Sequence, residues 1–176
     1  MSLHARCQKI EILIVDVDGV LTDGSIVYTD RGAESKAFHV RDGSGLKVWM
    51  MSGRKAAVLT GRESAVVDRR AAELGLTRVI QGAKDKVAAF ASLLAEQNLR
   101  ACQAAYMGDD LPDLPVLECC GLAVAVADAC PEARAQAHYV TRLAGGRGAV
   151  RETIELVLRA QGLWQEAVAR FVDSSL

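Results

Sequence analysis

The sequence predicts an α/β fold in which a mainly parallel sheet is covered by helices. Short apolar runs alternate along the chain with segments in which apolar residues recur every three or four positions. This alternation is typical of strands connected by crossover helices, and glycines near the ends of several helical segments agree with it. Polar and acidic residues follow several of the apolar runs, and the carboxyl ends of parallel strands lie at one edge of a sheet.

The first strand is predicted at Ile10–Val15, where an unbroken apolar run indicates burial on both faces of the sheet. Five later apolar runs predict the other strands, at Ala56–Leu59, Arg78–Ile80, Ala104–Met107, Leu122–Val126 and Tyr139–Thr141.

Residues 25–40 interrupt this alternation directly after the first strand. Two short strand-like runs flank the turn residues Asp30, Arg31 and Gly32, so the segment predicts a β-hairpin inserted at about 25–40.

A first helix is predicted at Gly43–Met51. Five crossover helices follow, at Glu63–Leu74, Asp85–Gln97, Leu111–Cys119, Pro131–Ala137 and Gly148–Gln161. Residues 163–176 form a helical C-terminal tail, in which Leu163–Val172 carries Trp164, Val168 and Phe171 on one side. That apolar side either contacts another subunit or packs onto its own domain, and the sequence leaves both alternatives open.

Length and composition limit the classes of function. The 176 residues fit one domain, 1–176, and a net charge of -1 provides no basic surface for nucleic acid or for an anionic membrane. The chain has no run of roughly 18 apolar residues that would span a bilayer. Its five cysteines show no paired metal or disulfide spacing, as expected of reduced thiols in the cytoplasm.

Asp16 and Asp18 follow the first strand. A carboxylate at the end of a buried strand stays ionised beside a cation, so these acids predict a metal site. A strand that ends in a solvated turn is an equally good interpretation of this segment alone. Gly19 breaks the extended geometry, which allows the two carboxylates to serve one site in different roles.

The ends of the later strands add residues to the same sheet edge. Thr60 and Gly61 follow the second strand, Lys86 begins the helix after the third, and Asp109 and Asp110 follow the fourth. Carboxylate oxygens suit Mg²⁺, whereas a hydroxyl, a backbone N–H and an ammonium group together suit a phosphoryl group. A carboxylate beside them is a candidate nucleophile, because aspartate forms an acyl phosphate.

These motifs, taken in order, resemble those of the haloacid dehalogenase-like phosphohydrolases; they comprise Asp16, Asp18, Thr60, Gly61, Arg62, Lys86, Asp109, Asp110 and Asp113. Lys36–Gly43, Val124–Ala129 and Thr141–Glu152 resemble members of that family that hydrolyse 3-deoxy-D-manno-octulosonate 8-phosphate. The resemblance spans about residues 10–162. It implies a Rossmann-like three-layer fold without a large cap domain, a Mg²⁺ cofactor, and a homotetramer in which a neighbouring subunit helps to close the site.

The resemblance also implies a role for each motif residue. Asp16 is the implied nucleophile and Asp18 the implied acid and base, with Thr60 and Lys86 as further catalytic residues. Mg²⁺ is expected on Asp16, Asp109 and the backbone carbonyl of Asp18. The acids expected around these ligands are Asp110 and Asp113, and a helix-capping acid is the alternative interpretation of Asp113.

Gly61, Arg62, Arg41 and Lys36 are the expected substrate-binding residues. A guanidinium fork suits the carboxylate of a sugar acid, with a surface ion pair as the alternative for each arginine. Lys36 lies on the hairpin, from which it can reach a neighbouring subunit's pocket.

Three alternative functions remain at this point. A phosphatase for a nine-carbon sugar acid phosphate, from sialic acid or deaminoneuraminate (KDN), would differ in residues at the rim of the site. A phospho-receiver domain carries paired acids on its first strand and its phosphorylated aspartate in mid-chain, unlike this order of motifs. The third alternative is a tetramerisation module with little activity.

His39 stands where this family leads us to expect asparagine, and the tail after Gly162 also departs from the family pattern.

Overall fold

Six parallel strands form the main sheet of the computed structural model, which describes residues 1–173. In chain order the strands are Ile12–Val15 (β1), Val27–Tyr28 (β2), Glu34–Ser35 (β3), Lys55–Leu59 (β4), Val79–Ile80 (β5), Ala104–Gly108 (β6), Leu122–Ala125 (β7) and Tyr139–Val140 (β8). The sheet order is β5-β4-β1-β6-β7-β8, and β2 pairs with β3 in a separate two-stranded sheet. The prediction of a mainly parallel sheet is confirmed, and each predicted sheet strand is present with ends displaced by one or two residues.

The helices form two groups around this sheet. In chain order they are Leu3–Cys7 (α1), Val40–Met51 (α2), Ala65–Leu74 (α3), Lys86–Glu96 (α4), Leu114–Cys119 (α5), Pro131–Gln136 (α6), Ala149–Ala160 (α7) and Trp164–Asp173 (α8). In one group α2 contacts α7 and α8, and α1 contacts α7; in the other, α5 contacts α4 and α6. All four residues of the central strand β1 are buried, as the unbroken apolar run predicts.

The hairpin is present, with a shorter ladder than the sequence predicts. The backbone N–H of Thr29 donates to the carbonyl of Ala33 at 2.9 Å, which closes the turn at the predicted place. The insert nevertheless ends before Val40, because α2 begins there rather than at the predicted Gly43. The early start is stabilised by Asp42, whose carboxylate accepts hydrogen bonds from backbone N–H groups at the beginning of α7.

The segment from Leu111 to Cys119 is not one helix as predicted. Leu111–Asp113 forms a 3₁₀ turn, and α5 begins at Leu114. The Asp113 carboxylate accepts hydrogen bonds from the backbone N–H groups of Asp109 and Asp110, which holds this turn against the end of β6. Helix α1 was not predicted, since its five residues are too few to show a periodic pattern.

The C-terminal helix α8 packs onto its own domain. Trp164 is 8% exposed, and the guanidinium groups of Arg151 and Arg159 lie 4.9 and 5.1 Å from its ring. This contact decides between the two interpretations of the apolar side of the tail. Residues 174–176 of the predicted tail lie outside the described part of the chain. Within residues 1–173, no helix is long and apolar enough to cross a membrane.

Candidate active site

Side chains from four strand ends meet in one cavity of about 300 Å³ at the carboxyl edge of the sheet. The cavity is lined by Asp16, Asp18, Gly24, Thr60, Gly61, Arg62, Lys86, Asp109, Asp110, Pro112 and Asp113. Most of the predicted catalytic, metal and substrate residues are therefore brought together. The strands supply this arrangement because parallel strands end at the same edge, although their residues are far apart in sequence.

Three carboxylates occupy the floor of the cavity. One oxygen each of Asp16, Asp109 and Asp113 lies within 4.8 Å of the others. Burial, followed by the charge of Asp113, raises the pKa of Asp109 to about 7. Burial also raises the pKa of Asp16 to about 6, although the neighbouring Lys86 ammonium opposes this shift. The fold therefore concentrates negative charge where water stabilises it poorly.

Asp113 differs from the other two acids because its lone pairs are used within the protein. Its Oδ1 accepts hydrogen bonds from Lys86 Nζ at 2.7 Å and from the Tyr106 hydroxyl at 2.6 Å. Its Oδ2 accepts the backbone N–H of Asp109 at 2.9 Å and that of Asp110 at 3.3 Å. Asp113 therefore orients the lysine and the loop after β6, rather than presenting an oxygen to a ligand.

Lys86 lies between two acids on the floor of the cavity. Its Nζ is 3.2 Å from Asp16 Oδ1 and 2.7 Å from Asp113 Oδ1. Burial alone would lower the pKa of Lys86, but the charges of Asp16 and Asp113 more than offset it, and the net shift is upward. The side chain is consequently a fixed ammonium, suited to an anionic ligand and not to accepting a proton.

The loop after β1 is turned by Gly19. Its φ of +87° lies in the left-handed region, and a Cβ at this position would lie 2.0 Å from Asp109 Oδ2. Glycine therefore allows the β1 loop to approach the β6 loop so that Asp16 and Asp109 share the cavity.

The floor of the cavity fits a hard divalent cation. Asp16 Oδ1 is buried and receives no aligned hydrogen bond from the residues described, despite its proximity to Lys86. Asp16 and Asp109 thus offer carboxylate oxygens close enough to bind one ion, and oxygen donors are those that Mg²⁺ prefers. The side chain of Asp18 does not belong to this group, and its predicted ligation through the backbone carbonyl stays a prediction.

Asp18 instead faces two cations at the cavity rim. Lys36 Nζ contacts its Oδ1, and Arg62 Nε lies 3.4 Å from its Oδ2. Lys36 comes from the hairpin of the same chain, and only 1% of its side chain is exposed. Glu34, a residue that the sequence did not single out, contacts both cations.

Arg41, like Lys36, is a predicted substrate residue that does not line this cavity. It is the second residue of α2 and lines a separate groove of about 550 Å³ with Arg142, Arg151 and residues of α7. Its side chain is therefore not among those that line the cavity at the strand ends. Within one chain its assignment to the substrate receives no support.

Known proteins match this chain in sequence. A family described as haloacid dehalogenase-like hydrolase matches residues 67–152. The chain is 50% identical over 166 residues to the 3-deoxy-D-manno-octulosonate 8-phosphate phosphatase KdsC of Escherichia coli strain B / BL21-DE3, with 94% of this chain and 88% of that protein covered. KdsC of Yersinia pestis is 49% identical over 156 residues, covering 89% and 83% of the two chains.

Solved structures with the same architecture include close relatives. The Yersinia pestis 3-deoxy-D-manno-octulosonate 8-phosphate phosphatase has a TM-score of 0.91 and 47% identity, covering 93% of this chain and 88% of that chain. The Moraxella catarrhalis enzyme of the same name, solved with a magnesium ion, a phosphate ion and KDO (3-deoxy-D-manno-octulosonate), has a TM-score of 0.92 and 43% identity. That match covers 96% of this chain and 97% of the other.

Proposed function

The chain belongs to the 3-deoxy-D-manno-octulosonate 8-phosphate phosphatases, within the haloacid dehalogenase-like hydrolases, and from this premise we propose how its residues hydrolyse a sugar acid phosphate. It is a phosphoric monoester hydrolase, and its substrate is 3-deoxy-D-manno-octulosonate 8-phosphate, which it converts to KDO and inorganic phosphate. The observation that carries the proposal is the arrangement of Asp16, with a buried oxygen lacking a hydrogen bond, beside Lys86 and Asp109.

Asp16 attacks phosphorus in the first half of the reaction. A carboxylate oxygen forms a bond to phosphorus while the bond from phosphorus to the sugar oxygen breaks, giving an aspartyl phosphate and a sugar alkoxide. Asp18 supplies a proton to that departing oxygen. Lys86, Thr60 and the backbone N–H of Gly61 line the same cavity and donate hydrogen bonds to the phosphoryl oxygens.

Asp18 accepts a proton from water in the second half of the reaction. The resulting hydroxide attacks phosphorus, the bond to Asp16 breaks, and phosphate leaves with the enzyme restored. Asp113 keeps Lys86 in place through both steps, and Asp110 at the mouth of the cavity supports the water molecules there.

Mg²⁺ is the cofactor, held by the carboxylates of Asp16 and Asp109 and by the backbone carbonyl of Asp18. When bound, it offsets the negative charge of the acids and of the phosphoryl group, so that an anionic nucleophile and an anionic substrate can meet. The Moraxella catarrhalis relative contains this ion together with phosphate and KDO.

Arg62 binds the substrate carboxylate at the rim. The predicted substrate role of Lys36 stays a prediction, because its side chain is 1% exposed and pairs with Asp18 and Glu34. Arg62 is 41% exposed at its side chain and lines the cavity, in agreement with a role in binding a ligand from solution. A nine-carbon sugar acid phosphate carries the same carboxylate and remains an outcome of the substrate test. Arg41, remote from the cavity in its own chain, keeps its predicted substrate role only if a second chain brings it to a site.

The site argues against two non-enzymatic functions, that of a receiver domain and that of a tetramerisation module. A receiver domain requires a long-lived acyl phosphate, whereas Asp18 stands beside Asp16 as a base that hastens hydrolysis. A tetramerisation module without activity has no need for Asp16, Lys86 and Asp113 to be held together in a buried ion-pair network.

We further propose a homotetramer in the cytoplasm. Ile26 and Val27 on the hairpin are each about half exposed, which favours their burial against a second copy that covers the open cavity. All five cysteines are free thiols, in agreement with a reducing compartment.

The proposal is tested by a phosphate-release screen over octulosonate, nonulosonate and hexose phosphates, with Mg²⁺ and with EDTA. We expect release to be fastest from the octulosonate ester and to require Mg²⁺. Asp16→Asn should lose turnover but retain the fold, so that its circular dichroism spectrum matches that of the wild-type protein. Preference for a nonulosonate would overturn the substrate, and substantial turnover by Asp16→Asn would overturn the nucleophile.

A further inference from the structure

Four charged side chains form a cluster at the cavity rim, which we call the rim cluster: Asp18, Glu34, Lys36 and Arg62. Glu34 Oε1 lies 3.0 Å from Arg62 Nη2 and 3.4 Å from Lys36 Nζ. The same two cations contact Asp18 on their other side. Each of the two acids therefore contacts both cations. Asp18 and Arg62 line the cavity, whereas Glu34 and Lys36 do not.

Glu34 holds Arg62 from outside the cavity. It lies opposite Tyr28 in the β2–β3 ladder, and cross-strand partners share one face of a hairpin. The Tyr28 hydroxyl also lies 3.4 Å from Arg62 Nη2, so one hairpin face fixes that nitrogen. With 14% of its side chain exposed, Glu34 is sufficiently shielded for this ion pair to restrain the guanidinium.

The three guanidinium nitrogens of Arg62 differ in the groups that they contact. Nε faces Asp18 and Nη2 faces Glu34, whereas Nη1 has no acceptor within the described residues. A guanidinium fixed along two of its sides keeps one nitrogen available for a ligand anion. Without Glu34, Nη2 of Arg62 would lose its charged acceptor.

We propose that Glu34 is a positioning residue that orients Arg62 for the carboxylate of the substrate, and thereby contributes to selection of sugar acid phosphates. This inference rests on the proposed function. Glu34 touches neither the reacting phosphorus nor the nucleophile, so its effect is on recognition of the carboxylate. A residue that only ties the hairpin to the domain would instead affect all phosphate esters alike.

The test compares kcat and KM of Glu34→Ala on 3-deoxy-D-manno-octulosonate 8-phosphate and on p-nitrophenyl phosphate, which has no carboxylate. We expect KM for the sugar acid phosphate to rise about tenfold, the size of one charge-assisted hydrogen bond, with little change in kcat. Hydrolysis of p-nitrophenyl phosphate should change much less. Glu34→Gln, which keeps an acceptor for Arg62, should give an intermediate KM.

Two further variants separate the explanations. Glu73→Ala removes a glutamate that pairs with Arg69 and Arg70 on the exposed surface of α3, and it should behave as wild type on both substrates. In an Arg62→Ala background, Glu34→Ala should add little to KM, because the residue it positions is gone.

The outcomes distinguish the two proposals. Equal changes on both substrates, or additive effects of Glu34→Ala and Arg62→Ala, would overturn the role of Glu34 while leaving the phosphatase intact. Failure of the wild-type enzyme to release phosphate from the octulosonate ester, with p-nitrophenyl phosphate still hydrolysed, would overturn the proposed substrate and this inference together.

Discussion

Asp113 is nearly fully buried, and its two oxygens accept four hydrogen bonds from side chains and backbone. Replacing it by asparagine leaves the buried Lys86 ammonium with one charged partner fewer and turns an amide group towards donors. We expect Asp113→Asn to lower the free energy of unfolding by about 3 kcal/mol, the usual cost of breaking a buried pair on one side, and to lower kcat. Urea denaturation and phosphate release measure the two effects.

Asp85→Asn is the matched control for this change. Asp85 directly precedes Lys86 in sequence, but its side chain accepts the Ala88 N–H at the exposed start of α4. Asparagine caps a helix equally well, so stability and kcat should stay close to wild type. Equal stability of the two variants would show that Asp113 does not hold the site together.

Asp16 and Asp109 predict how metal binding depends on pH. Their pKa values of about 6 and 7 in the folded protein lie above 3.8, mainly because both are buried. For acids with raised pKa values, the metal-free fold is most favoured below the unfolded pKa and loses that stability as pH rises through about 4 to 7. Mg²⁺ competes with the same protons, so its affinity rises over this range.

We therefore expect Mg²⁺ to raise Tm more at pH 8 than at pH 5.5, measured against EDTA by differential scanning fluorimetry. Asp16→Asn should reduce the shift at pH 8, since it removes one charged ligand. An equal Mg²⁺ shift at both pH values would contradict the assignment of these acids as the cation site.

At the scale of elements, the loop before α7 supports the loop after β1. Gly146 N–H donates to the carbonyl of Val20 at 2.9 Å, and a Cβ on Gly145 would lie 1.7 Å from the carbonyl oxygen of Gly19. The glycine-rich segment 145–148 is, from its sequence alone, compatible with an anion-binding loop or with a turn that leads into a helix. Its contacts assign it to backbone packing directly behind the catalytic loop.

Gly145→Ala should consequently disturb the active site from outside the cavity. The added methyl group meets rigid backbone, so we expect a loss of about 2 kcal/mol in unfolding free energy, typical of overpacking, together with a fall in kcat. Gly53→Ala is the control, because Gly53 has a φ of +82° but open space around its Cβ. That variant should lose about 1 kcal/mol from backbone strain and keep wild-type kcat. Equal kcat in both variants would argue against support of the catalytic loop by Gly145.

Elements made from local apolar patterns were predictable, and contacts between distant segments were not. The strand β1 and the residues after it follow from one apolar run that is buried on both faces. The start of α2 depends on hydrogen bonds that the Asp42 carboxylate accepts from the backbone N–H groups of Gly148 and Arg151, which are more than one hundred residues away in sequence. A sequence pattern contains no information on such a pairing.

The candidate site likewise contains residues that could be predicted from the sequence and residues that could not. Asp16, Lys86 and Asp109 were predictable because each stands at a strand end or at the start of a helix, where the topology itself brings them together. Glu34 and Tyr106 reach the site through the docking of the hairpin and through the interior of β6. A glutamate on a hairpin and a tyrosine in an apolar run carry no sequence signal for those positions. Conversely, Arg41 was predicted from the family resemblance, and it lines another groove in its own chain.

At the scale of the whole molecule, one face of the hairpin contacts the site and the opposite face is exposed. Tyr28 and Glu34 face Arg62, whereas Val27 pairs with Ser35 on the opposite face and is 52% exposed. An isolated two-stranded hairpin is marginally stable in water, and apolar side chains on its outer face favour cover by another chain. Closed symmetric assemblies satisfy such a surface on every copy.

Val27→Lys should therefore dissociate the proposed tetramer into smaller species without touching the rim cluster, because it places a charge on the outer hairpin face only. Light scattering coupled to size exclusion measures the change, and phosphate release from the octulosonate ester should fall as the cavity becomes open to water. Val172→Lys is the matched control: Val172 is also 52% exposed, but it lies on α8, so this variant should stay tetrameric and active. A wild-type protein that is monomeric and fully active at the assay concentration would exclude closure of the site by a second copy, since the single chain would then shield the reaction with its own hairpin.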